Sequence, residues 1–147
     1  EKAKGIRGFQ IASPSIIGIR GVEVAFSMIE EAGIKNIEAK AAKGTDLMIE
    51  LFDAWLAPLG FTLGTPRDAK KRGGHIIVIH KDAKQIAVAL RKLKNVIPDY
   101  REPGAIRLAI SPLTTSYTEV YDGFARLRDL VASGEYQQVQ LDGNRVT

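Results

Sequence analysis

The 147-residue sequence has no cysteine, one tryptophan and only two histidines. Without cysteine, the chain has no disulfide bond, thiolate nucleophile, iron–sulfur cluster or cysteine-based zinc site. No apolar run approaches the roughly 18 residues that a membrane-spanning helix needs. Residues 1–5 also lack the apolar stretch of a signal peptide. We therefore expect no membrane partner.

The two histidines, His75 and His80, stand at the ends of one β-like run. An odd spacing on a strand directs two side chains to opposite faces, so these histidines cannot share a metal ion. The sequence also lacks a Gly-x-Ser-x-Gly elbow, a Walker loop and a dinucleotide-binding fingerprint. We therefore expect no metal site and none of these common enzyme classes.

What the sequence does contain is the composition of a globular domain. Apolar residues make up 45% and charged residues 26%, and 21 basic against 17 acidic residues give a formal charge of +4. Such a composition predicts a packed core, and the length fits one ordinary domain. The first residue is Glu1 rather than methionine, which leads us to expect a piece of a longer protein.

The spacing of apolar residues predicts four helices and three short strands. The helices are expected from about residue 19 to Gly33, from Asn36 to about Ala57, over 82–95, and from Ser116 to Gly134. Gly44 lies inside the second helix, where we expect a bend or a close approach of another backbone. Asp82 with Gln85, and Ser116 with Glu119, have capping-box spacing. The strands are expected at 61–63, 75–80 and 105–110.

This order of elements predicts an α/β fold of the α+β type. Each short strand needs one covered side and each helix has one apolar stripe, so we expect a small, mostly antiparallel sheet with helices packed on one face.

Two basic clusters lie at residues 67–72 and 91–94. Each is interpreted either as a solvated surface or as an anion-binding or nucleic-acid-binding footprint. Aromatic residues do not alternate with these charges, as a stacking platform for single strands requires. We therefore do not expect a nucleic-acid partner, although a stand-alone basic binding module stays an alternative.

Arg107 is the candidate binding residue. It interrupts an apolar strand between Ile106 and Leu108, where a guanidinium needs a partner. Its natural partner is a carboxylate. From the residues alone, that carboxylate belongs either to an Asp or Glu of this chain or to a ligand.

Several ordered motifs around Arg107 resemble the C-terminal part of the kynureninase family, which are fold-type-I pyridoxal-phosphate enzymes. The motifs are Arg-Gly-Gly-His at 72–75, Asp-Tyr-Arg-Glu-Pro at 99–103, Ile-Arg at 106–107, Pro-Leu-Thr-Thr-Ser-Tyr at 112–117 and Gly-Phe-Gln-Ile-Ala-Ser-Pro at 8–14. The resemblance covers residues from about 5 to about 131. At Thr114 the family has a tyrosine, so this chain departs from the pattern there.

The resemblance assigns roles to individual residues. Arg107 matches the arginine that grips the α-carboxylate of the amino-acid substrate. Ser13 matches a polar position that helps to bind the cofactor phosphate across a dimer. His75 and Arg101 match motif positions with a structural or substrate-adjacent role. No residue of this chain matches a catalytic position.

The resemblance also implies a domain division and a cofactor. Residues 1–60 would continue from the large domain, 61–134 would form the small domain, and 135–147 a polar tail. From their polar composition we expect residues 137–147 to be mobile or bound by a neighbour. The lysine that holds pyridoxal 5'-phosphate lies upstream in the family, and Lys40 and Lys43 are interpreted as surface residues. We therefore expect this chain alone to be inactive and not to bind the cofactor.

For the complete protein, the resemblance implies a cytoplasmic homodimer in tryptophan catabolism and NAD biosynthesis. It would hydrolyse L-kynurenine or 3-hydroxykynurenine to anthranilate or 3-hydroxyanthranilate and L-alanine. A class V aminotransferase or a cysteine desulfurase is the alternative within the same chemistry.

Overall fold

A computed structural model describes residues 3–9 and 12–141. The chain forms two compact units, Glu1–Asn36 and Ile37–Thr147. Its α-helices are α1 (Ile16–Ala32), α2 (Ile34–Leu51), α3 (Ala83–Lys94) and α4 (Tyr117–Ala132). Its strands are β1 (Thr62–Leu63), β2 (His75–Ile79), β3 (Asp99–Arg101) and β4 (Ala105–Ala109).

The predicted first helix is confirmed in the first unit. The Ser15 side chain caps α1 by accepting a hydrogen bond from the Gly18 N–H at 3.2 Å. Gly33, with φ of 77°, ends it and donates its N–H to the Ile29 carbonyl. However, no residue of α1 is buried. Within the unit, its apolar side chains therefore remain uncovered.

The second unit is built on one four-stranded antiparallel sheet in the order β1-β2-β4-β3. The expected α+β class and antiparallel sheet are confirmed. Strand β3 was not predicted, because Pro98 and Pro103 flank its three residues. In the central pair, Ile77 of β2 lies opposite Arg107 of β4, and in the edge pair Asp99 of β3 lies opposite the same arginine.

The core lies against one face of this sheet, because the strands alternate between buried and more exposed side chains. Ile76, Val78, Ile106 and Leu108 point into the core, where they join buried side chains of the helices. These helical side chains include Met48, Ile86, Leu90, Phe124, Leu127 and Leu130. The opposite face of the sheet carries Arg107.

The predicted second helix is confirmed over α2 but changes its winding toward the end. A π-helical turn occupies Phe52–Leu56 and a 3-10 turn occupies Ala57–Leu59, before Gly60 at φ of 88°. Gly44 makes a close approach to a side chain rather than to another backbone, since a Cβ there would lie 2.6 Å from the Ile110 Cδ1 atom.

The two predicted capping boxes have different outcomes. Ser116 and Glu119 form the box reciprocally at the start of α4. At α3, Asp82 makes no side-chain cap, and its backbone (φ −100°, ψ 22°) is not in the extended region typical of an N-cap. Its Oδ2 accepts a hydrogen bond from the Tyr136 hydroxyl at 3.0 Å. Gln85 instead donates to the carbonyls of Gln137 and Val139, at 3.1 Å each.

These contacts correct the prediction for the first part of the polar tail. Glu135–Gln138 forms a 3-10 turn, and Tyr136 is buried in the core. Residues 142–147 lie outside the described residues. The expected family division at residue 60 stays a prediction.

Candidate functional site

The candidate site is the open face of the sheet around Arg107. Because β4 alternates, Ile106 and Leu108 fill the core while Arg107 points to the opposite face. Its side chain is 39% exposed. The strand thereby fixes the backbone end of the Arg107 side chain and leaves the guanidinium accessible.

Asp99 on the neighbouring edge strand holds Arg107 from one side. The Asp99 Oδ2 atom lies 2.6 Å from the Arg107 Nη2 atom, and the two residues are directly opposite in the β3–β4 register. In the described part of the chain, the Arg107 guanidinium has this ion pair and no hydrogen bond. Its Nε and Nη1 groups are therefore available to a ligand.

The same carboxylate oxygen also holds Arg101. The Arg101 Nε donates to the Asp99 Oδ2 atom at 2.8 Å, and the Arg101 Nη2 lies 2.8 Å from it. Two guanidinium groups thus share one carboxylate, and the cluster keeps one positive charge. This charge favours an anionic ligand group beside Arg107.

A short turn sets the register of these charges. Residues 102–104 connect β3 to β4, and the Tyr100 hydroxyl donates to the Pro103 carbonyl at 3.1 Å. Gly104 accepts a hydrogen bond from the His80 N–H at 3.0 Å. A Cβ at Gly104 would lie 3.2 Å from the His80 carbonyl oxygen, so a larger residue would push the turn away.

Apolar side chains flank the charged cluster on the same face. Ile77 lies opposite Arg107, and Ile79, which is 43% exposed, lies opposite Ala105. A cation beside the partly buried Ile77 and the exposed Ile79 suits a ligand that joins a carboxylate to an apolar body.

The other predicted site residues have different places. His75 lies on the open face, opposite Ala109 and two positions along β2 from Ile77. Arg101 joins the site through Asp99. Ser13 is exposed in the first unit, two positions before the cap of α1. The structure therefore places Arg101 and His75 on the face of Arg107, and Ser13 in the other unit.

Asp99 is the site residue that the sequence reasoning missed as a partner of Arg107. From the sequence, Arg107 was expected to pair either with an Asp or Glu of this chain or with a ligand. The structure shows an internal pair with Asp99, and the remaining positive charge of the cluster also favours an anionic ligand.

The basic cluster at 67–72 is not simply a solvated surface. Arg67 makes a bidentate pair with Asp53, with both N–O distances at 2.7 Å, and this pairing lowers the pKa of Asp53. The Arg72 side chain is only 2% exposed and contacts Thr45, Asp46 and the Arg67 carbonyl. For Arg72 the surface interpretation is therefore wrong.

His80 is a buried structural residue. Its Nδ1 accepts a hydrogen bond from the Asp82 N–H at 3.0 Å, and its ring packs on Phe61 with centroids 4.6 Å apart. Burial lowers the pKa of His80, although the charge of Asp82 acts in the opposite direction. No group of His, Asp and Glu side chains that could hold a metal ion occurs among residues 3–9 and 12–141.

No helix of the described part is long and apolar enough to cross a membrane.

Comparison with known proteins identifies relatives that match most of the chain. Residues 37–127 match the family model of the kynureninase C-terminal domain. Curated kynureninases of Bacillus anthracis and Geobacillus thermodenitrificans are 35% and 33% identical over 132 and 130 residues. A kynureninase of Shouchella clausii is 36% identical over 130 residues.

These alignments cover 90%, 88% and 88% of this chain but only 31%, 30% and 30% of the respective relatives. The chain therefore spans about a third of the length of the curated relatives it matches. Since the family model covers more than half of its residues, the chain belongs to the kynureninase family, of which it contains the C-terminal domain.

Proposed function

We propose that this chain is the substrate-carboxylate-binding domain of a kynureninase. The observation that carries the proposal is the half-exposed Arg107 guanidinium on the open sheet face, whose Nη2 atom contacts Asp99 and which makes no hydrogen bond in the described part of the chain. Its remaining donors suit a bidentate carboxylate, the geometry in which arginine binds most strongly.

The proposed substrate is L-kynurenine or its 3-hydroxy form, and the proposed products are anthranilate or 3-hydroxyanthranilate and L-alanine. Such a substrate joins an α-carboxylate to an aryl ketone. Arg107 would hold the carboxylate, and Ile77 and Ile79 offer apolar surface to its organic part. A carboxylate fixed in this way restricts the orientation of the bonds that react.

The cofactor of the proposed reaction is pyridoxal 5'-phosphate, which when bound supplies an electron sink for cleavage of the Cβ–Cγ bond. The described residues do not by themselves fit this group. Ser13 offers one exposed hydroxyl and Lys43 is exposed on α2. Lys40 on the same helix lies near Glu119, whose pKa is lowered mainly by hydrogen bonds from Ser116 and to a smaller extent by the charge of this lysine. We propose that the cofactor is held by the part of the relatives that this chain does not span.

We also propose that the complete protein is a cytoplasmic homodimer in which α1 is covered. Ile16, Ile17 and Phe26 are 79%, 88% and 65% exposed, so α1 offers a large apolar surface. The region that the relatives have in addition to this chain is the natural cover for it. Light scattering of the complete protein is expected to give the mass of two chains; a monomer would contradict the dimer.

The test of the proposed function is Arg107→Ala in the complete protein. Loss of a charge-assisted, bidentate contact is expected to lower kcat/KM for kynurenine by about 100-fold. Arg67→Ala is the matched control, because Arg67 is an exposed arginine paired with Asp53. Turnover by Arg107→Ala at the wild-type level would contradict the role of the arginine.

A measurement of RNA binding addresses the alternative of a basic binding module. Such a module would bind RNA with a strong dependence on salt, and this binding would be lost when surface arginines are replaced. Salt-dependent RNA binding by this chain, together with no activity of the complete protein on kynurenine, would favour the module.

A further inference from the structure

Asp99 occupies an unusual position for a site that binds an anion. It places a negative charge directly beside Arg107, with its Oδ2 atom 2.6 Å from the Arg107 Nη2 atom. By electrostatics alone, this charge should weaken the binding of a carboxylate ligand. Its presence therefore needs an explanation other than charge complementarity.

The geometry of the cluster offers one. Asp99 contacts both arginines through the same Oδ2 atom, so one oxygen links the two guanidinium groups. Arg101 approaches with two nitrogens, each 2.8 Å away, whereas Arg107 approaches with one. Arg101 thus fixes the carboxylate, and the carboxylate fixes one end of Arg107.

We propose that Asp99 is a positioning residue that orients the Arg107 guanidinium for the substrate carboxylate, and that Arg101 acts by holding Asp99. An unrestrained arginine side chain loses rotamer freedom when it binds a ligand. Asp99 removes part of that rotamer freedom before a ligand binds, and it contacts the Nη2 atom of the guanidinium. This inference rests on the proposed function, because it assumes that Arg107 binds the substrate.

The backbone supports this arrangement. Asp99 and Arg107 are opposite residues of a regular antiparallel pair, and Arg101 and Ala105 are the next pair on the same face. Side chains at such positions lie near each other without any rearrangement. The three charged groups therefore owe their placement to the sheet, and the site is preformed before a ligand arrives.

The test is Asp99→Asn in the complete protein, with kcat and KM for kynurenine measured separately. Asparagine keeps the size of the side chain and removes its charge. If Asp99 positions Arg107, KM rises by about tenfold, the effect of losing one charge-assisted contact, and kcat changes less than KM. An unchanged or lower KM would overturn the inference, since a lower KM is the result of removing a repulsive charge.

Arg101→Ala provides the second arm. Because Arg101 acts through Asp99, this variant is expected to raise KM in the same direction, and the double variant should not exceed Asp99→Asn alone. Additive effects of the two substitutions would refute the proposed order of action. Arg126→Ala is a matched control, since its Nη1 donates to the Lys94 carbonyl and it lies outside this cluster.

A measurement without activity separates the two proposals. In the ¹⁵N-labelled 147-residue chain, the Arg107 Nε–H signal is expected to lose order in Asp99→Asn, and an unchanged order parameter would overturn the positioning role. Conversely, if Arg107→Ala retains wild-type turnover while Asp99 does order the guanidinium, the proposed function fails and the positioning of Arg107 stands.

Discussion

Replacing Arg72 provides a quantitative test of the fold that supports the site. The Arg72 side chain is 2% exposed and links α2 to the segment before β2. Its Nε donates to the Thr45 hydroxyl at 3.0 Å, and its terminal nitrogens contact Asp46 and the Arg67 carbonyl. Arg72→Ala removes these contacts and the aliphatic stem together.

The expected loss is about 3 kcal/mol in the free energy of unfolding. Burial of the stem contributes about 2 kcal/mol, at roughly 0.8 kcal/mol for each CH₂ group, and the bond to Thr45 contributes about 1 kcal/mol. The Asp46 contact adds little, because its carboxylate is 55% exposed and water replaces the partner. The Thr45 hydroxyl still donates to the carbonyls of Ala41 and Ala42, so it is not left without a partner.

Urea unfolding, followed by the fluorescence of Trp55, measures this loss by linear extrapolation. Arg72→Met keeps an aliphatic chain and is expected to lose only about 1 kcal/mol. Arg67→Ala, which removes an exposed pair with Asp53, should cost less than Arg72→Ala. A loss below about 1 kcal/mol for Arg72→Ala, or a loss equal to that of Arg67→Ala, would refute the structural role assigned here.

Two further predictions concern His80 and the start of α4. Burial lowers the folded-state pKa of His80 below its ordinary value of 6.5, so the unfolded chain binds the proton more readily. The free energy of unfolding should therefore be highest above pH 6.5 and should fall as the pH drops toward the folded-state pKa. Urea midpoints between pH 7.5 and 5 measure the dependence of stability on pH. His80→Gln should reduce this dependence, whereas the exposed control His75→Gln should not. An unchanged pH dependence in His80→Gln would contradict the role of His80. Ser116→Ala removes a reciprocal cap and should cost about 1 kcal/mol, whereas Ser116→Asp should keep most of the stability, and equal midpoints for the two variants would speak against the cap.

The local part of the fold was predictable from the sequence. The helices α1, α3 and α4 follow apolar spacing, and the capping box at Ser116 involves residues three positions apart. The strands β2 and β4 are apolar runs with a visible alternation of burial. In each case the signal and the structure it specifies lie within one short segment, so a local pattern suffices.

Features that depend on distant partners were not predictable in this way. Arg72 resembles any other member of a basic cluster, and its burial depends on Thr45 and Asp46, which lie 27 and 26 positions away. The carboxylate of Asp82 likewise has a distant partner, since it accepts a hydrogen bond from Tyr136, 54 positions away, and makes no cap. At both residues the partner is distant in the sequence, so a local pattern does not reveal it.

The pair of Asp99 and Arg107 is an intermediate case, because it could be predicted only if residues 99–101 were assigned as a strand. Pro98 and Pro103 flank residues 99–101, and proline argues against a strand interior, although an edge strand tolerates it. Once residues 99–101 are taken as an edge strand, a three-residue turn at 102–104 pairs Arg101 with Ala105 and therefore Asp99 with Arg107. Alternation then places both arginines on the face opposite Ile106. Recognising a three-residue edge strand would thus have indicated the internal partner of the binding arginine, and with it the residue that we propose orients it.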